Sequence, residues 1–283
     1  ISERDEFSFL MLWNHLQESL RAESKEKLNR LARETDIDVV ATRRLERGSL
    51  DERLLAINTL GWLRDDTNWK QLLAIAEDED PVYSLSAAKA LMRIDAERAL
   101  PTLLPLIARR EDWSIVTVAG FLREAGADLI SEPLARAVLQ VPPEQASRLI
   151  RFLELAHSHV SVPAVRTLIA NSSDMEIITA CLRVFQDAED LAAVRKFLQD
   201  ERWQVRREAA NCLGRIGTEE DEIRLIDAAA DEEWDVQYHA AQALANLPSI
   251  DLERLSKIAE THPNESARDI IRQVMAESRL AEI

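Results

Sequence analysis

One segment of the chain returns almost in full after a fixed interval. The residues from Asp200 to Gly217 are followed, one period later, by a similar series from Asp231 to Pro248. Trp203 matches Trp234, and the aspartate, valine, paired alanines and leucine of the segment all move by the same 31 residues (234 − 203 = 31). A fixed period of this size is typical of stacked repeats, in which each unit buries its apolar face against its neighbours. The sequence therefore predicts a repeat array.

The same motif, in weaker form, extends the array toward the N-terminus. The segment from Asp78 to Ile94 keeps the paired alanines, the leucine and the isoleucine, with Pro81 in place of the tryptophan. Another unit is predicted to begin at Trp113, with Ile115 and Ala119 in register with the motif. Predicted units begin near residues 50, 81, 113, 144, 174, 203, 234 and 263, which gives about eight units.

Each unit is predicted to contain two helices. The first carries the valine, the paired alanines and the leucine on one stripe, and the small alanines let its backbone approach the next unit closely. The second is the segment between motifs, for example from Glu219 to Ala230, where Ile223, Ile226 and Ala229 are expected to point inward. No part of the sequence shows the alternating pattern of a strand. The predicted fold is all-α, a right-handed α-solenoid (α/α superhelix) of about eight helix pairs with an N-terminal helical cap.

The first residues of the chain do not follow the period but still show helical patterns. One helix is indicated by apolar residues at three- and four-residue spacing, and a later one by the segment from about Asp38 to Glu46, which Gly48 ends. The apolar residues of the first helix are Phe9, Leu12, Trp13, Leu16 and Leu20. Residues 1–48 are therefore predicted to cap the apolar face of the first repeat, and residues 49–283 to form the array.

A competing interpretation makes residues 1–48 a juxtamembrane segment. The sequence begins with Ile1 and not with Met, so a signal peptide or a membrane anchor could precede residue 1. No apolar run in the chain approaches the roughly 20 residues needed to cross a bilayer. Localisation stays open between the cytoplasm and a soluble domain held at a membrane.

The charge of the chain restricts its partners. It contains 35 basic and 51 acidic residues, which gives a formal net charge of −16 at pH 7. This field repels a phosphate backbone, so no nucleic-acid partner is expected. A protein segment rich in Lys or Arg is favoured instead.

Residues that could bind a metal are few and scattered. Cys181 and Cys212 both fall in apolar helical contexts, and we interpret them as inert core thiols. His157 and His159 lie two residues apart, which places them on different sides of a helix, and no carboxylate or cysteine lies at ligand spacing. The sequence predicts neither a metal site nor a cofactor.

The repeat motif resembles a known family. Asp-x-x-Trp/Pro-x-Val-Arg followed by Ala-Ala-x-x-Leu-Gly-x-Ile-Gly, best shown by Asp200 to Gly217, is similar to the short bacterial HEAT-like repeat, the variety also seen in phycobilin lyases. The resemblance covers about residues 49 to 275 and implies the fold, but the same unit serves many unrelated functions. Ser84, Val116 and Gln237 stand where Arg206 stands, so a continuous Asp–Arg ladder between units is not expected.

A narrower resemblance concerns the C-terminal repeats. The runs from Trp234 to Ala241 and from Ser266 to Val274 are similar to HEAT-like proteins that bacteria encode with an N-terminal membrane helix, often beside glycosyltransferases of the cell envelope. This resemblance implies a membrane-anchored scaffold that binds a membrane-bound glycosyltransferase or another envelope component.

Enzymes are also built from HEAT-like repeats, and each type requires particular residues. The di-iron deoxyhypusine hydroxylase type needs repeated His-Glu pairs, and none of the five histidines here is followed by glutamate. DNA glycosylases of this fold need a basic channel with aromatic residues, whereas this chain is acidic. No set of nucleophile, base and metal ligands converges, so the chain is predicted not to be an enzyme. A bilin lyase or a DNA glycosylase stays the alternative.

The tryptophans of the motif are the strongest candidates for a binding site. Trp113, Trp203 and Trp234 are expected at the same point of different units, either wedged between a loop and the next helix or exposed as an aromatic row for a partner. Residues that could extend this surface are Arg206, Tyr238, His239, Arg268 and Arg272. The predicted function is a non-catalytic scaffold that binds another protein on the concave face of the solenoid.

Overall fold

The computed structural model describes residues 3–186 and 188–281 as α-helices joined by short loops and 3-10 turns, with no strand in that part of the chain. No helix among the described residues is both long enough and apolar enough to cross a membrane. The helices are α1 (Glu3–Ser19), α2 (Ala22–Glu34), α3 (Ile37–Arg47), α4 (Leu50–Leu63), α5 (Trp69–Ala76), α6 (Pro81–Ile94), α7 (Ala96–Arg109), α8 (Ile115–Ala125), α9 (Ala127–Gln140), α10 (Pro143–Ile150), α11 (Ser158–Asn171), α12 (Met175–Val184), α13 (Leu191–Phe197), α14 (Trp203–Ile216), α15 (Glu222–Ala228), α16 (Trp234–Asn246), α17 (Leu252–Thr261) and α18 (Glu265–Ala281).

The predicted all-α solenoid is confirmed, and the start of each repeat was predicted to within two residues. The first helices of the units begin at residues 50, 81, 115, 143, 175, 203, 234 and 265. Seven of them are followed by a second helix, and α18 begins the eighth unit. The helix predicted from about Asp38 to Glu46 is also confirmed, as α3.

The described chain forms two compact bodies. The first body contains residues 3–141 and 155–157, and the second contains residues 142–154, 158–186 and 188–281. The predicted division into a cap (1–48) and an array (49–283) stays a prediction. Residues 1, 2, 187, 282 and 283, which fall in those two segments, lie outside the described residues.

In the first body, α1 and α3 are arranged like the two helices of a repeat. Helix α1 packs on α4, as α4 packs on α6, and α3 packs on α4, as α5 packs on α6. Helices α1 and α3 therefore occupy the places of a helix pair, and α2 is an additional helix between them. The buried side chains that join these elements are Leu10, Trp13, Ala32, Ile37 and Leu63.

The predicted buried face of α1 is partly wrong. Trp13 is buried as expected, but Leu12 is 57% exposed. The amide of Asn14 is buried instead, and its Nδ2 donates a hydrogen bond to Thr59 Oγ1 on α4 at 2.9 Å. Gln17, one helical turn further, is fully buried. A prediction from apolar residues alone therefore missed part of the buried face of α1, which contains the hydrogen-bonded amides of Asn14 and Gln17.

The paired alanines of the motif are buried in α6, α14 and α16, as predicted, and a glycine makes the closest helix contact. A Cβ added to Gly214 on α14 would lie 2.9 Å from the Cα of Ala243 on α16. Gly61 on α4 and Ala90 on α6 repeat the arrangement in the first body, with 2.8 Å between the added Cβ and the Cα. First helices of neighbouring units thus touch backbone to backbone at this position. The fully buried motif alanines are Ala87, Ala88, Ala209, Ala210, Ala240 and Ala241.

The predicted orientation of the segment from Glu219 to Ala230 is partly wrong. Ile223 is 71% exposed, whereas Leu225 and Ala229 are fully buried. The segment opens with a 3-10 turn before α15, and a 3-10 turn rotates side chains further per residue than an α-helix does. A period of 3.6 residues counted from Glu219 therefore points to the wrong face. Asp221, in the 3-10 turn, is fully buried as well.

Ion pairs connect the second helices of neighbouring units in the second body. Arg195 on α13 donates to both carboxylate oxygens of Asp221, at 2.6 and 3.0 Å. Arg166 on α11 makes the equivalent bond to Asp190, at 2.6 Å. The next unit reverses the pair, since Arg254 on α17 donates to Glu222. These contacts fix the spacing between second helices with charged hydrogen bonds.

The Asp–Arg ladder of the family motif is interrupted, as predicted. Arg206 donates to both carboxylate oxygens of Asp231, each at 2.8 Å. One unit later Gln237 takes this place, donates to the Asp231 carbonyl and accepts a hydrogen bond from Ser266 Oγ. A neutral amide network therefore replaces one rung of the ladder.

Candidate functional site

Trp113 lies in the interior of the first body. Its side chain is 1% exposed, and its indole Nε1 donates a hydrogen bond to Ser84 Oγ at 3.0 Å. It precedes α8 by two residues, whereas Trp203 and Trp234 are the first residues of α14 and α16. Trp113 is therefore not at the same point of its unit and is not accessible to a partner.

The register predicted for α8 is also wrong. Ile115 and Ala119 are only partly buried, whereas Val118 and Leu122 are fully buried. Val116, aligned with the buried Arg206, is 81% exposed. Because the loop before α8 places the tryptophan outside the helix, an alignment on that residue shifts the whole helix.

Trp203 and Arg206 mainly stabilise α14. Trp203 is half-buried, and the guanidinium of Arg207 lies 5.4 Å from its ring centroid. Arg206 is buried; besides Asp231, it donates to the backbone carbonyls of Asp200 and Glu201. Its five N–H donors are thus largely used within the protein. Neither side chain presents a free binding group.

The two C-terminal arginines differ from each other. Arg268 is half-buried and donates to the backbone carbonyls of His262 and Pro263, which ties α18 to the loop before it. Arg272 is exposed, and its guanidinium lies 3.2 Å from Asp269 on the same helix face. Only Arg272 is accessible enough to contact a partner directly.

Trp234, which is exposed, and Tyr238, which is half-buried, form an aromatic stack on α16. They lie one helical turn apart, with ring centroids separated by 5.2 Å and ring planes inclined by 10°. The indole is 55% exposed. His239 packs edge-on against Tyr238, at 5.5 Å, and its Nδ1 is 2.7 Å from the Asp235 carbonyl oxygen. We call Trp234, Tyr238, His239 and the neighbouring Glu277 the aromatic surface.

Hydrogen bonds hold the tyrosine of this surface in place. Tyr238 Oη donates to Glu277 Oε2 on α18 at 2.7 Å and accepts from Gln242 Nε2 at 2.9 Å. The bond to Glu277 raises the pKa of Tyr238. A hydrogen bond from Gln273 and the one from Tyr238 lower the pKa of Glu277, so this carboxylate stays charged. The surface is thus preorganised around a fixed negative charge.

Further acidic residues flank Trp234 in the sequence. Glu232 and Glu233 directly precede Trp234, and Asp235 follows it. The Glu232 side chain is 83% exposed, although its carboxylate lies 3.5 Å from Arg206. An exposed indole among carboxylates is suited to bind a cation, since the ring face and the negative charges attract the same group.

A second candidate site lies in the first body and was not predicted. The C-terminal ends of α4, α6 and α8 form the floor of an open groove of about 820 Å³, and the additional helix α2 forms one wall. Five of its lining residues are basic and two are acidic. We call it the cationic groove. It is lined by Gln17, Lys25, Glu26, Asn29, Arg30, Arg33, Gly61, Trp62, Leu63, Arg64, Met92, Arg93, Ile94, Ala96, Phe121, Glu124, Ala125 and Leu129.

Trp62 organises the floor of the cationic groove. The Arg93 guanidinium lies 3.4 Å from the Trp62 ring centroid, and the Lys25 ammonium lies 4.4 Å from it. Arg93 also donates to both oxygens of Glu124, at 3.0 and 3.2 Å. Trp62, Arg93 and Glu124 follow one another at 31-residue intervals (93 − 62 = 31; 124 − 93 = 31), so equivalent positions of three units form one continuous contact.

The described residues offer little nucleophilic or metal chemistry. Burial raises the pKa of both Cys181 and Cys212 to about 12, so both thiols stay protonated at neutral pH. His157 Nε2 lies 2.8 Å from Asp128, in an exposed pair. In the part of the chain that the structure describes, no three His, Cys, Asp or Glu side chains are placed to hold a metal ion.

The repeats match a family model. The model described as HEAT repeats matches residues 37–120, 175–245 and 191–278, which together are more than half of the chain. The first match begins at the first residue of α3, within the segment predicted to be the cap. Comparison with curated proteins finds no match.

Proposed function

Because the chain belongs to the HEAT-repeat family, whose members generally serve as protein-interaction scaffolds, we propose that it is a non-catalytic scaffold and that its aromatic surface binds a basic segment of another protein. The stack of the exposed Trp234 on Tyr238 is the observation that carries this proposal. The buried thiols and the scarcity of convergent catalytic groups among the described residues support the non-catalytic part.

The chemistry of the aromatic surface favours a Lys or Arg side chain. A cation over the exposed face of Trp234 gains about 0.5–2 kcal/mol, depending on how far the partner excludes water. Glu277 is held charged beside Tyr238 and supplies a hydrogen-bond acceptor for the same cation. Tryptophan and tyrosine are also the residues most often found at the energetic centre of protein interfaces.

Peptide binding tests this function directly. A fluorescent peptide rich in Arg and Lys should bind, and Trp234→Ala should weaken its affinity about tenfold, which corresponds to about 1.4 kcal/mol. Trp234→Phe should retain more of the affinity, because it keeps a ring face. Ile223→Ala, which also removes an exposed apolar side chain in the second body, is the matched control and should change the affinity by less than about twofold.

Two results would contradict the proposal. If the Trp234→Ala variant bound the peptide as tightly as the original chain, the aromatic surface would not take part in binding. Tighter binding of an acidic peptide to this surface would reverse the proposed charge preference. The melting temperatures of the variants should be unchanged, since the side chains of Trp234 and Ile223 are both more than half exposed.

The finer proposal concerns the identity of the partner. We propose that the partner is a component of the cell envelope, such as a membrane-bound glycosyltransferase, and that it lies along the concave face of the solenoid. The resemblance of the runs from Trp234 to Ala241 and from Ser266 to Val274 to membrane-anchored HEAT-like proteins supports it. An affinity purification in detergent should retain one membrane protein that salt releases. Retention of a small molecule or a modified base would instead favour the bilin lyase or DNA glycosylase alternative.

A further inference from the structure

We propose that the cationic groove of the first body binds an acidic peptide segment that carries a large apolar side chain. This site goes beyond the proposed function, because it lies in the other body and requires a ligand of opposite charge. A scaffold with both sites would distinguish two partners by charge.

The distribution of charge supports an anionic ligand. The whole chain carries a net charge of −16, yet basic residues outnumber acidic ones in the lining of the groove. Arg93 is paired with Glu124, and Arg33 donates to the Leu63 carbonyl at the end of α4. These two arginines therefore have structural partners.

The other three basic residues of the groove make no ion pair within the described part of the chain. Lys25, Arg30 and Arg64 have no carboxylate partner within ion-pair distance among the described residues. Arg30 and Arg64 are exposed, and Lys25 is held against Trp62. Three cations without a carboxylate partner at one groove create a local positive potential in an otherwise acidic protein.

The rest of the lining suits a peptide better than a bare anion. Leu63, Met92, Ile94, Phe121 and Leu129 supply apolar contacts between the charged residues. The volume of about 820 Å³ lies within the range of roughly 300–1,000 Å³ that is usual for ligand sites. A segment with an apolar anchor between carboxylates matches both properties.

Amide side chains connect α1 and α2 to the floor of the groove. Gln17 Nε2 donates to Asn29 Oδ1 at 2.6 Å, and Asn29 Nδ2 donates to the Trp62 carbonyl at 2.8 Å. Gln17 is fully buried, and its Oε1 finds no hydrogen-bond donor among the described residues. The two hydrogen bonds hold the Asn29 side chain and the Trp62 backbone in place before a ligand binds.

The groove is already arranged for binding. Trp62 holds Arg93 and Lys25 near its ring, so less side-chain freedom is lost when an anion arrives.

The charge of the whole protein argues against a nucleic acid at the same place. A long polyanion would extend beyond the groove and meet the acidic surface, whereas a short peptide feels mainly charges within a Debye length of about 8–10 Å. A peptide segment therefore gains the local attraction without the wider repulsion.

The experiment uses two labelled peptides of equal length, with the same phenylalanine and leucine residues, one with glutamates and one with lysines between them. Fluorescence anisotropy at low salt should show that the acidic peptide binds to the full chain. Arg30→Glu with Arg64→Glu should weaken this binding about tenfold or more, since two attractive charges become repulsive. Added salt should weaken the binding as well.

A second double variant controls for net charge. Arg109→Glu with Arg136→Glu changes the total charge of the first body equally, at exposed positions outside the groove, and should alter the affinity by less than about twofold. Equal losses in both double variants would overturn the proposal, and so would failure of the unmodified chain to bind the acidic peptide. Melting curves verify that each variant is folded.

Competition experiments separate the peptide from other anions. Inorganic phosphate and a short oligothymidylate should displace the acidic peptide only at much higher concentration than an unlabelled copy of the peptide. Stronger displacement by either anion would overturn the peptide assignment. The Arg30→Glu, Arg64→Glu variant should bind the basic peptide as before, so failure at the groove is distinguishable from failure at the aromatic surface.

Discussion

Asp221 is a buried carboxylate that stays charged. Burial raises its pKa, but hydrogen bonds from Arg195 and from the Thr218 backbone lower it further, so the pKa lies below its ordinary value. Asp221→Asn should therefore destabilise the protein by about 1–3 kcal/mol at neutral pH, as expected when a charged hydrogen bond is lost. Urea denaturation measures this difference, and Asp227→Asn, at an exposed position of α15, is the control.

The effect of Asp221→Asn should depend on pH with a definite sign. A lowered pKa stabilises the folded state fully above the unfolded value of about 3.9, and this contribution is lost as the pH falls through the folded pKa. The difference in the free energy of unfolding between the original chain and the variant should become smaller below about pH 4. A difference that stays constant between neutral and acidic pH would contradict the ion-pair explanation.

Cys181 and Cys212 should be chemically silent in the folded protein. Because burial raises the pKa of each thiol to about 12, almost no thiolate is present near pH 8. A chromogenic disulfide reagent should find no rapidly reacting thiol in the native chain and two in urea. Rapid labelling of the native chain would show that one of these helices opens.

At the scale of helices, the contact between Gly214 and Ala243 can be tested with single methyl groups. Gly214→Ala should destabilise the protein by about 1–3 kcal/mol, because the added Cβ would lie 2.9 Å from the Ala243 Cα and force α14 away from α16. Gly120→Ala on α8 is the matched control. A Cβ there meets nothing within 4 Å, so the higher helix propensity of alanine should stabilise the protein by up to about 1 kcal/mol. Thermal melts showing the same sign for both substitutions would contradict this interpretation.

The sequence predicts the first helices far better than the second ones. The paired alanines mark the first helices directly, because a close helix contact accepts few other residues. The second helices carry no such constraint, and at Glu219 to Ala230 the ion pair with Arg195 turns Asp221 inward. A sequence pattern that counts apolar residues cannot reveal a buried charge whose partner lies one unit away.

The aromatic surface and the cationic groove also differ in how well the sequence predicts them. The stack of Trp234 and Tyr238 could be predicted, since residues four apart on one helix share a face. The cationic groove could not, because α2 does not follow the period and its basic residues meet α4 and α6 only in the folded chain. The spacing of 31 residues from Trp62 to Arg93 and on to Glu124 is the one signal that the sequence contains.

At the scale of the whole molecule, the excess of acidic residues predicts how salt affects stability. With a net charge of −16, carboxylates repel one another at neutral pH, and salt screens this repulsion. Most of the ion pairs involve partly exposed side chains and contribute about 0–1 kcal/mol each. The stability lost when salt screens these pairs is therefore smaller than the stability gained when it screens the repulsion. The melting temperature at pH 7 should rise by several degrees between low and moderate sodium chloride.

The matched control for this prediction is the same salt series near the isoelectric point of about 4.9. There the net repulsion vanishes, and salt mainly weakens the ion pairs, so the melting temperature should stay constant or fall. A rise of equal size at both pH values would show that the effect of salt is not electrostatic.

The contact between a glycine and an alanine on neighbouring first helices recurs in both bodies, at Gly61 with Ala90 and at Gly214 with Ala243. The unit of Gly214 carries another small residue, Cys212, at the position equivalent to Ala243, so a copy of this unit could pack closely on the original. Tandem duplication of its coding segment would therefore produce a helix pair that needs few further mutations to fit its parent. Unequal recombination between such segments can lengthen or shorten the gene by whole periods, while point mutations remain free to diversify the loops and the exposed faces.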